Sequence, residues 1–393
     1  LLGIWQAGGV AVPLNYLFPD AALRHAIVDS GVTHLVTGAA DANRLEGLLA
    51  GEKVTLLTTG PDGSFDRALV CRGVSRGDII LDPGVPKGVR QTTRNTMAQV
   101  EAVIEVYDLG AEDHALLPMP LFHVGGLQLG TLPILMRGGQ VTYMAKWDAV
   151  AWIALAQRLR PSYGGLISTM LIDVGNRTAD APVLLDSFRV LMFGGSRTPS
   201  APIARLTAGT GVAPVEIYGQ TEQSGLAATY PLGAPRRDGS TGLPLGQIVQ
   251  VRVVPPTGGP DIAAGEDGVG ELWVRGDAVT PGYWNRPDAD EEKWSDGWFR
   301  TGDLVSRDAD GYLYYVDRID DMIVTGGENV FPQMVEEHLA SCPDLAEVAV
   351  IGTAHERWVE QVTAVVVPVR PGVTADDVAA WCAANPNLAG ILR

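Results

Sequence analysis

The stretch YVDRIDDMIVTGGENVFP, Tyr315 to Pro332, divides the chain into two textures. A tyrosine-rich strand gives way to a charged run, Asp317 to Met322, and Arg318 is followed by a glycine pair, Gly326 and Gly327, and a proline. Before this point, from Gly242 to Arg300, lie short glycine-punctuated β pieces such as VQVRVVPP, GVGELWVRG and DGWFRTGDL. They suit a barrel or an antiparallel sheet. After it, FPQMVEEHLASC, AEVAVIG and VTAVVVPV return to alternating helix and strand. A domain boundary is therefore expected near Asp317–Met322.

Further toward the N-terminus, THLVTG, VTLLTT and QVTYMA have strand length, whereas AALRHAIVDSG and VAWIALAQRLRP carry apolar residues at helical spacing and stop at Gly or Pro. Strands alternating with helices predict a parallel α/β core. Trp147 and Trp152, flanking one of these helices, read as packing residues. No internal repeat or low-complexity tract interrupts the pattern.

With 393 residues, 46% of them hydrophobic, the chain can bury one large core plus a smaller domain. Twenty-nine Lys and Arg against 46 Asp and Glu give a net charge of −17, which argues against nucleic-acid binding. A nucleotide ligand would need locally supplied donors or a metal ion. Cys71, Cys342 and Cys382 are far apart in sequence and form no metal-ligand spacing, so a reducing cytoplasm is the expected setting. No uninterrupted apolar run reaches the ~18 residues of a membrane span, and no secretory leader is evident. The chain opens inside an apolar segment without an initiating Met, the pattern expected of a fragment.

Three segments carry chemistry. IYGQTEQSG places Tyr218, Gly219, Thr221 and Glu222 directly after the strand-like APVEI. There a ring can stack on a planar ligand, a hydroxyl can reach a phosphate and a carboxylate can hold Mg2+. It is equally the composition of a plain polar turn. GWFRTGDL presents Asp303 after Thr301 and Gly302, suited to accepting hydrogen bonds from vicinal ribose hydroxyls, and Arg318 follows downstream. A fourth segment, DIILDPGVPKGVRQTT, holds Lys87 between glycines, yet Pro83 has no N–H to offer and Asp82 would repel a phosphate.

Taken in order and spacing, these segments resemble the adenylate-forming superfamily of acyl-CoA synthetases, adenylation domains and luciferases. WQAGGVAVPLN, LPMPLFHVGGL, LMFGGS, IYGQTE, GELWVRG, PGYWNRP, GWFRTGDL and DRIDDMIVTGGENVFP follow in family order over essentially the whole chain. The resemblance implies a large N-terminal domain of layered α/β sheets with a β-barrel portion, residues 1–319, and a small mobile C-terminal α/β domain, residues 320–393, hinged near Asp320. It implies that a carboxylic acid and ATP form an acyl-adenylate and pyrophosphate, and that the acyl group then passes to CoA. The acid is expected to be a fatty or aryl acid. Thr221 would contact the α-phosphate, Glu222 would bind Mg2+, and Lys87 would face the phosphates. Tyr218 beside Gly219 would stack on adenine, Asp303 and Arg318 would hold the ribose, and Gly194, Gly195 and Ser196 would line the nucleotide and acyl pocket. His123 would border the acyl pocket, although a lone His after Phe also fits a core. Gly326 and Gly327 would let backbone approach the pantetheine of CoA. A homodimer is left open.

Two departures from the family stand out. GVPKGV matches the end of the phosphate loop, but the Ser/Thr-rich part before Gly84 is absent, about six residues fewer than the pattern expects, and the strand leading into it reads as deleted. NPNLAGILR resembles the segment just before the family's catalytic lysine, and the sequence stops at Arg393. Met334, Val359, Ile391 and Leu392 also replace expected residue types. An impaired enzyme is therefore expected, with a non-catalytic AMP- or acyl-binding relative, or a truncated pseudoenzyme, as the alternative.

Overall fold

The structure, a computed structural model, describes residues 4, 9–59, 78–81, 87–179, 181–196, 198, 200–256, 258–325, 328–355 and 359–383. Two compact units result: residues 1–235, 244–250 and 275–299 in the first, and 236–243, 251–274 and 300–393 in the second.

In the first unit the predicted periodicities become elements. AALRHAIVDSG supplies helix α1 (Asp20–Asp29), and THLVTG and VTLLTT supply β1 (His34–Gly38) and β2 (Thr55–Thr59), which pair in parallel. Next come β3 (Asp78–Leu81) and β4 (Gly88–Gln91), an antiparallel pair. This corrects the sequence reading: the strand taken as deleted is present, because Ile79, Ile80 and Leu81 form a short β-prone run that hydrogen-bonds to Val89 and its neighbours. Residues 82–86, the connection between the two strands, lie outside the described residues.

Helix α2 (Thr93–Val106) starts at a reciprocal cap: Asn95 N donates to Thr92 Oγ1 at 3.1 Å, and Thr92 N donates to Asn95 Oδ1 at 3.1 Å. Strand β5 (His114–Leu117) then leads to a π-helical segment, Gly125–Thr131, and to β6 (Gln140–Tyr143). VAWIALAQRLRP forms α3 (Ala149–Leu159), capped by Asp148 and ended by Arg160 in a left-handed conformation. After it come β7 (Tyr163–Ile167), α4 (Ser168–Ala179), β8 (Val190–Gly194), α5 (Ser200–Thr210) and β9 (Val215–Tyr218). The short strands β10 (Ala228–Thr229) and β11 (Leu243–Pro244) complete a seven-stranded sheet of order β11-β10-β9-β8-β7-β5-β6.

Strands β5 to β9 pair in parallel, as the alternation predicted. The central strands β7 and β8 are almost wholly apolar and buried. Trp152 lies at the centre of this core, its ring stacked on Phe188 at 5.6 Å, with Leu116, Leu166, Leu171 and Leu191 around it. Trp147 packs at the edge of the same cluster, so both tryptophans serve the packing role expected of them.

The second unit holds β12 (Gln250–Val254), β13 (Gly270–Arg275) and β15 (Trp298–Arg307) side by side, and the short β14 (Trp294–Ser295) pairs with the start of β15 in the first unit. Strand β16 (Leu313–Arg318) returns antiparallel to β15. A second sheet, order β18-β17-β20-β19, consists of β17 (Ile323–Thr325), β18 (Glu328–Val330), β19 (Leu345–His355) and β20 (Val359–Pro368). Helices α6 (Pro332–Ala340) and α7 (Ala375–Ala383) pack on it through Val335, Leu339 and Val378. Asp320 sits in a single helical turn, Ile319–Asp321, between β16 and β17.

Candidate active site

In the parallel sheet the chain runs from β5 outward to β6, then crosses to β7 and continues the other way to β8 and β9. Such a reversal opens a crevice at the carboxyl ends of the strands, where open α/β sheets bind ligands. The segments that follow β5, β7, β8 and β9 at this edge carry His123, Ser168, Gly194 to Ser196, and Tyr218 to Glu222. Eight of the sequence-predicted positions of this unit, His123, Gly194, Gly195, Ser196, Tyr218, Gly219, Thr221 and Glu222, thus come from neighbouring strand ends.

Gly194 ends β8 where a Cβ would lie 2.6 Å from Ile217 O of the adjacent strand, so only glycine fits. Gly195 turns at φ +91°, and Gly195 and Ser196 are exposed. Ser168 Oγ donates to Ser196 O at 2.8 Å, and Thr198 Oγ1 donates to Ser168 Oγ at 2.7 Å, which fixes the turn after β8. His123 accepts from Gly125 N through Nδ1 at 3.0 Å while its ring edge meets solvent. Surrounding protein desolvates the imidazole and lowers its pKa, so the ring is a neutral, half-satisfied group rather than a core histidine.

After β9 the chain turns sharply. Gly219 has no room for a Cβ, which would lie 2.5 Å from Gly225 O, and Thr221–Gln223 form one 3₁₀ turn closed by Ser224 at φ +59°. The turn is pinned from outside: Gln91 Nε2 donates to Thr221 O at 2.6 Å, Ser224 Oγ lies 2.6 Å from Gln91 Oε1 and 2.8 Å from Ala278 O, and Thr280 N donates to Glu222 O at 2.7 Å. Every one of these bonds holds backbone or flanking side chains. The Thr221 hydroxyl itself makes no hydrogen bond among the described residues.

The Glu222 side chain is buried, and its Oε1 accepts from the Tyr283 hydroxyl at 2.6 Å. Among the described residues it has no Lys, Arg or His within ion-pair distance. Lys87 Nζ stands 5.0 Å from the centroid of the same Tyr283 ring. Tyr218 ends β9 as a buried ring, 9% exposed. The structure therefore groups Lys87 with Glu222 through a tyrosine that sequence reasoning quoted only as part of PGYWNRP. Its signal was present in the strand-like glycine-aromatic spacing, but nothing in one sequence pairs residue 283 with residue 222.

No cluster of three or more His, Cys, Asp or Glu side chains able to hold a metal occurs among the described residues. A single buried carboxylate with one oxygen oriented by a tyrosine does fit Mg2+, which is held by one or two carboxylates plus phosphates and water rather than by a protein cage. In the second unit, Asp303 and Arg318 face each other across β15 and β16, with Arg318 Nε 3.5 Å from Asp303 Oδ1. Asp303 is buried and Arg318 half exposed. Thr301 Oγ1 accepts from Asp303 N at 3.0 Å and itself donates to Leu272 O at 2.7 Å.

Comparison with known proteins settles the family. A model of the AMP-binding enzyme matches residues 83–284, and one of the AMP-binding enzyme C-terminal domain matches residues 334–390. The chain belongs to the AMP-binding enzyme family. It is 34% identical over 392 residues to a feruloyl-CoA synthase of Amycolatopsis sp., covering 97% of this chain and 78% of that one. ATP-bound MatB from Rhodopseudomonas palustris superposes with a TM-score of 0.87 at 26% identity, over 97% of this chain and 78% of that one. The o-succinylbenzoate CoA synthetase MenE from Bacillus subtilis, solved with its acyl-adenylate intermediate, superposes with a TM-score of 0.82 at 25% identity, over 95% and 76% of the two chains.

By family the chain is an AMP-forming acyl-CoA synthetase, an ATP- and CoA-dependent acid–thiol ligase. Its fold is the mixed α/β architecture expected, with a large N-terminal and a small C-terminal domain. Gly326, Gly327 and the segment NPNLAGILR lie outside the described residues of this AMP-binding enzyme, as does the side chain of Asp320. No helix among the described residues is long and apolar enough to cross a membrane.

Proposed function

We propose that the protein activates an aryl or fatty monocarboxylic acid as its acyl-adenylate and transfers the acyl group to CoA. The observation that carries this reading is the turn after β9, where a threonine hydroxyl with no hydrogen-bond partner among the described residues stands next to a buried carboxylate with no ion-pair cation among them. A polar turn built only to close a strand would satisfy both groups internally. Here Gln91, Ser224 and Thr280 fix the backbone and leave the two side chains to a ligand.

In this reading Thr221 donates to the α-phosphate, Glu222 holds Mg2+ and Lys87 faces the phosphates. Mg2+, when bound, supplies positive charge that offsets the phosphate anions. The ring of Tyr218 borders adenine beside Gly219, and the exposed backbone of Gly194, Gly195 and Ser196 lines the crevice. His123, neutral at pH 7, borders the acid without adding a charge. Asp303 and Arg318 take the ribose hydroxyls, Gly326 and Gly327 face the pantetheine, and Asp320 is the hinge for residues 320–393. Positioning two anions against each other is the main task, so preorganised donors rather than covalent chemistry should supply the rate. The free, buried Cys342 and Cys382 support a reducing compartment.

A second reading has its own observation: no Ser or Thr occurs from Asp78 to Gly88, where donors for the β- and γ-phosphates belong. It makes the chain a binder of AMP or acyl ligands without turnover. Pyrophosphate release with Mg-ATP, CoA and a panel of aryl and aliphatic acids separates the two. Acid-dependent release above background supports the enzyme. No release with any acid, alongside thermal stabilisation by AMP, rejects turnover and leaves the binder.

A further inference from the structure

Tyr283 has no role in the reading above, yet among the described residues it is the side chain that touches both Glu222 and Lys87. Its hydroxyl donates to Glu222 Oε1 at 2.6 Å, and Lys87 Nζ lies 5.0 Å from its ring centroid. The ring cannot be a passive neighbour that swings with its ligands. It is 4% exposed and wedged among Val89, Ala289 and Trp294, with the Trp294 ring edge-on at 5.7 Å.

Its backbone is equally fixed. Val89 and Tyr283 form an antiparallel bridge, flanked by Arg90 N donating to Gly282 O at 3.1 Å and Trp284 N donating to Gly88 O at 2.6 Å. Tyr283 N donates to Asp290 Oδ1 at 2.8 Å, and Gly282 holds φ +140° where a Cβ would lie 2.6 Å from Asp290 Oδ2. Strand β4 and the segment before β14 are thus zipped together, and the tyrosine projects from the zipper to the turn that carries Glu222.

We propose that Tyr283 is a positioning residue that orients the metal-binding carboxylate of Glu222 with its hydroxyl and seats Lys87 with its ring. This rests on the adenylation reading. The hydroxyl commits Oε1 to protein, which leaves Oε2 to face a cation. The ring face attracts the ammonium group, and a buried aromatic face holds a cation without neutralising it, so the charge of Lys87 remains available to phosphate. One rigid side chain therefore sets the separation of a cation and an anion before the nucleotide arrives.

The two ends of the tyrosine can be tested apart by equilibrium binding, without turnover. Tyr283→Phe removes the hydroxyl and keeps the ring; Tyr283→Leu removes both; Lys87→Met is made in each background. Affinity is measured for ATP with Mg2+ and for AMP in EDTA by calorimetry on the full chain. Loss of a hydrogen bond to a charged group predicts that Tyr283→Phe weakens ATP binding with Mg2+ about 10-fold while AMP binding in EDTA changes less than about threefold. Lys87→Met should then cost several-fold in the wild type and in Tyr283→Phe, and far less in Tyr283→Leu. Unchanged ATP affinity in Tyr283→Phe, or an equal fall for AMP in EDTA, overturns the assignment by showing a merely structural ring. Should Tyr283→Leu not fold, the phenylalanine variant alone decides the hydroxyl's role. A wild type that binds neither nucleotide overturns the adenylation reading itself, whereas a wild type that binds both, with no effect of Tyr283→Phe, overturns only the role given to Tyr283.

Discussion

Replacing Gln91 by Met tests whether the turn that presents Thr221 and Glu222 is held from β4. Gln91 is 1% exposed and spans the turn, its Nε2 on Thr221 O and its Oε1 on Ser224 Oγ, both at 2.6 Å. Methionine is close in volume and brings no polar atom, so packing changes little. The cost depends on what is left behind. Thr221 O keeps the Ser224 amide at 3.0 Å, and Ser224 Oγ keeps Ala278 O at 2.8 Å, so neither partner is orphaned. The larger penalty of an unsatisfied buried group therefore does not apply. The Nε2 bond is lost outright, and the Ser224 proton, shared between Gln91 Oε1 and Ala278 O, passes to Ala278 O. The loss is between about 1 and about 2 kcal/mol, the upper figure counting the shared bond in full.

That loss is local, and hydrogen exchange reads it directly. The amides of Ser224 and Gly225 bond to Thr221 O and Gln220 O, both at 3.0 Å, and report opening of the turn. A fall of about 1–2 kcal/mol in the opening free energy speeds their exchange about 5- to 30-fold. Core amides of β7 and β8 should be unaffected. Exchange at Ser224 and Gly225 within about threefold of the wild type would refute the idea that Gln91 holds the turn. Acceleration beyond about a thousandfold would refute the accounting, because it would require an orphaned polar group that the geometry does not leave.

Three further outcomes are expected. Thr221→Ala should lower acid-dependent pyrophosphate release by about 10²–10³-fold, with the unfolding midpoint unmoved, since the hydroxyl has no partner among the described residues. Gly225→Ala should destabilise by about 1–3 kcal/mol in a thermal scan, because φ is +114° and the new Cβ would meet Leu129 Cγ at 3.2 Å and Val124 Cβ at 3.3 Å. Asp113→Asn tests acid stability: burial raises the Asp113 pKa, but bonds from Ser162 Oγ, Gly110 N and Arg189 outweigh it and hold the carboxyl below its ordinary value. A depressed folded pKa contributes stability above the unfolded value near pH 4 that is lost as pH falls through the folded value. Urea midpoints of the asparagine variant should therefore fall less steeply than the wild type's below about pH 4.

Legibility in the sequence followed the range of the interaction involved. Helices α1 and α3 and strands β1, β2 and β6 are local: their periodicity, caps and stops lie within a dozen residues, and each formed where its pattern stood. The Thr221–Glu222 turn was legible because a strand, a glycine and two polar residues are contiguous. Tyr283 was not, since its function depends on a strand bridge to Val89 nearly two hundred residues away in sequence. The error at β3 has a different cause. Counting against a family pattern weighed the missing Ser and Thr, whereas the β-branched Ile79 and Ile80 with the apolar Leu81 make a strand whatever the loop beyond it contains.

The balance of groups around Glu222 bears on which of the two readings is physically economical. A carboxyl group that is 5% exposed, with a tyrosine hydroxyl as its hydrogen-bonded side-chain partner, is buried at a desolvation cost that an apolar residue of the same size would avoid. Other buried polar side chains avoid this cost: Gln91 is satisfied at both ends of its amide, and Asp113 has Arg189, Ser162 and Gly110. Departures from internal satisfaction are expected where a ligand completes the set. A fold kept only to bind AMP through adenine and ribose has no need of a buried carboxyl group at Glu222, because neither moiety brings the metal that this side chain suits. The buried Glu222 therefore favours the reading in which the protein still handles Mg2+ and phosphate, with Lys87 as the cation beside it.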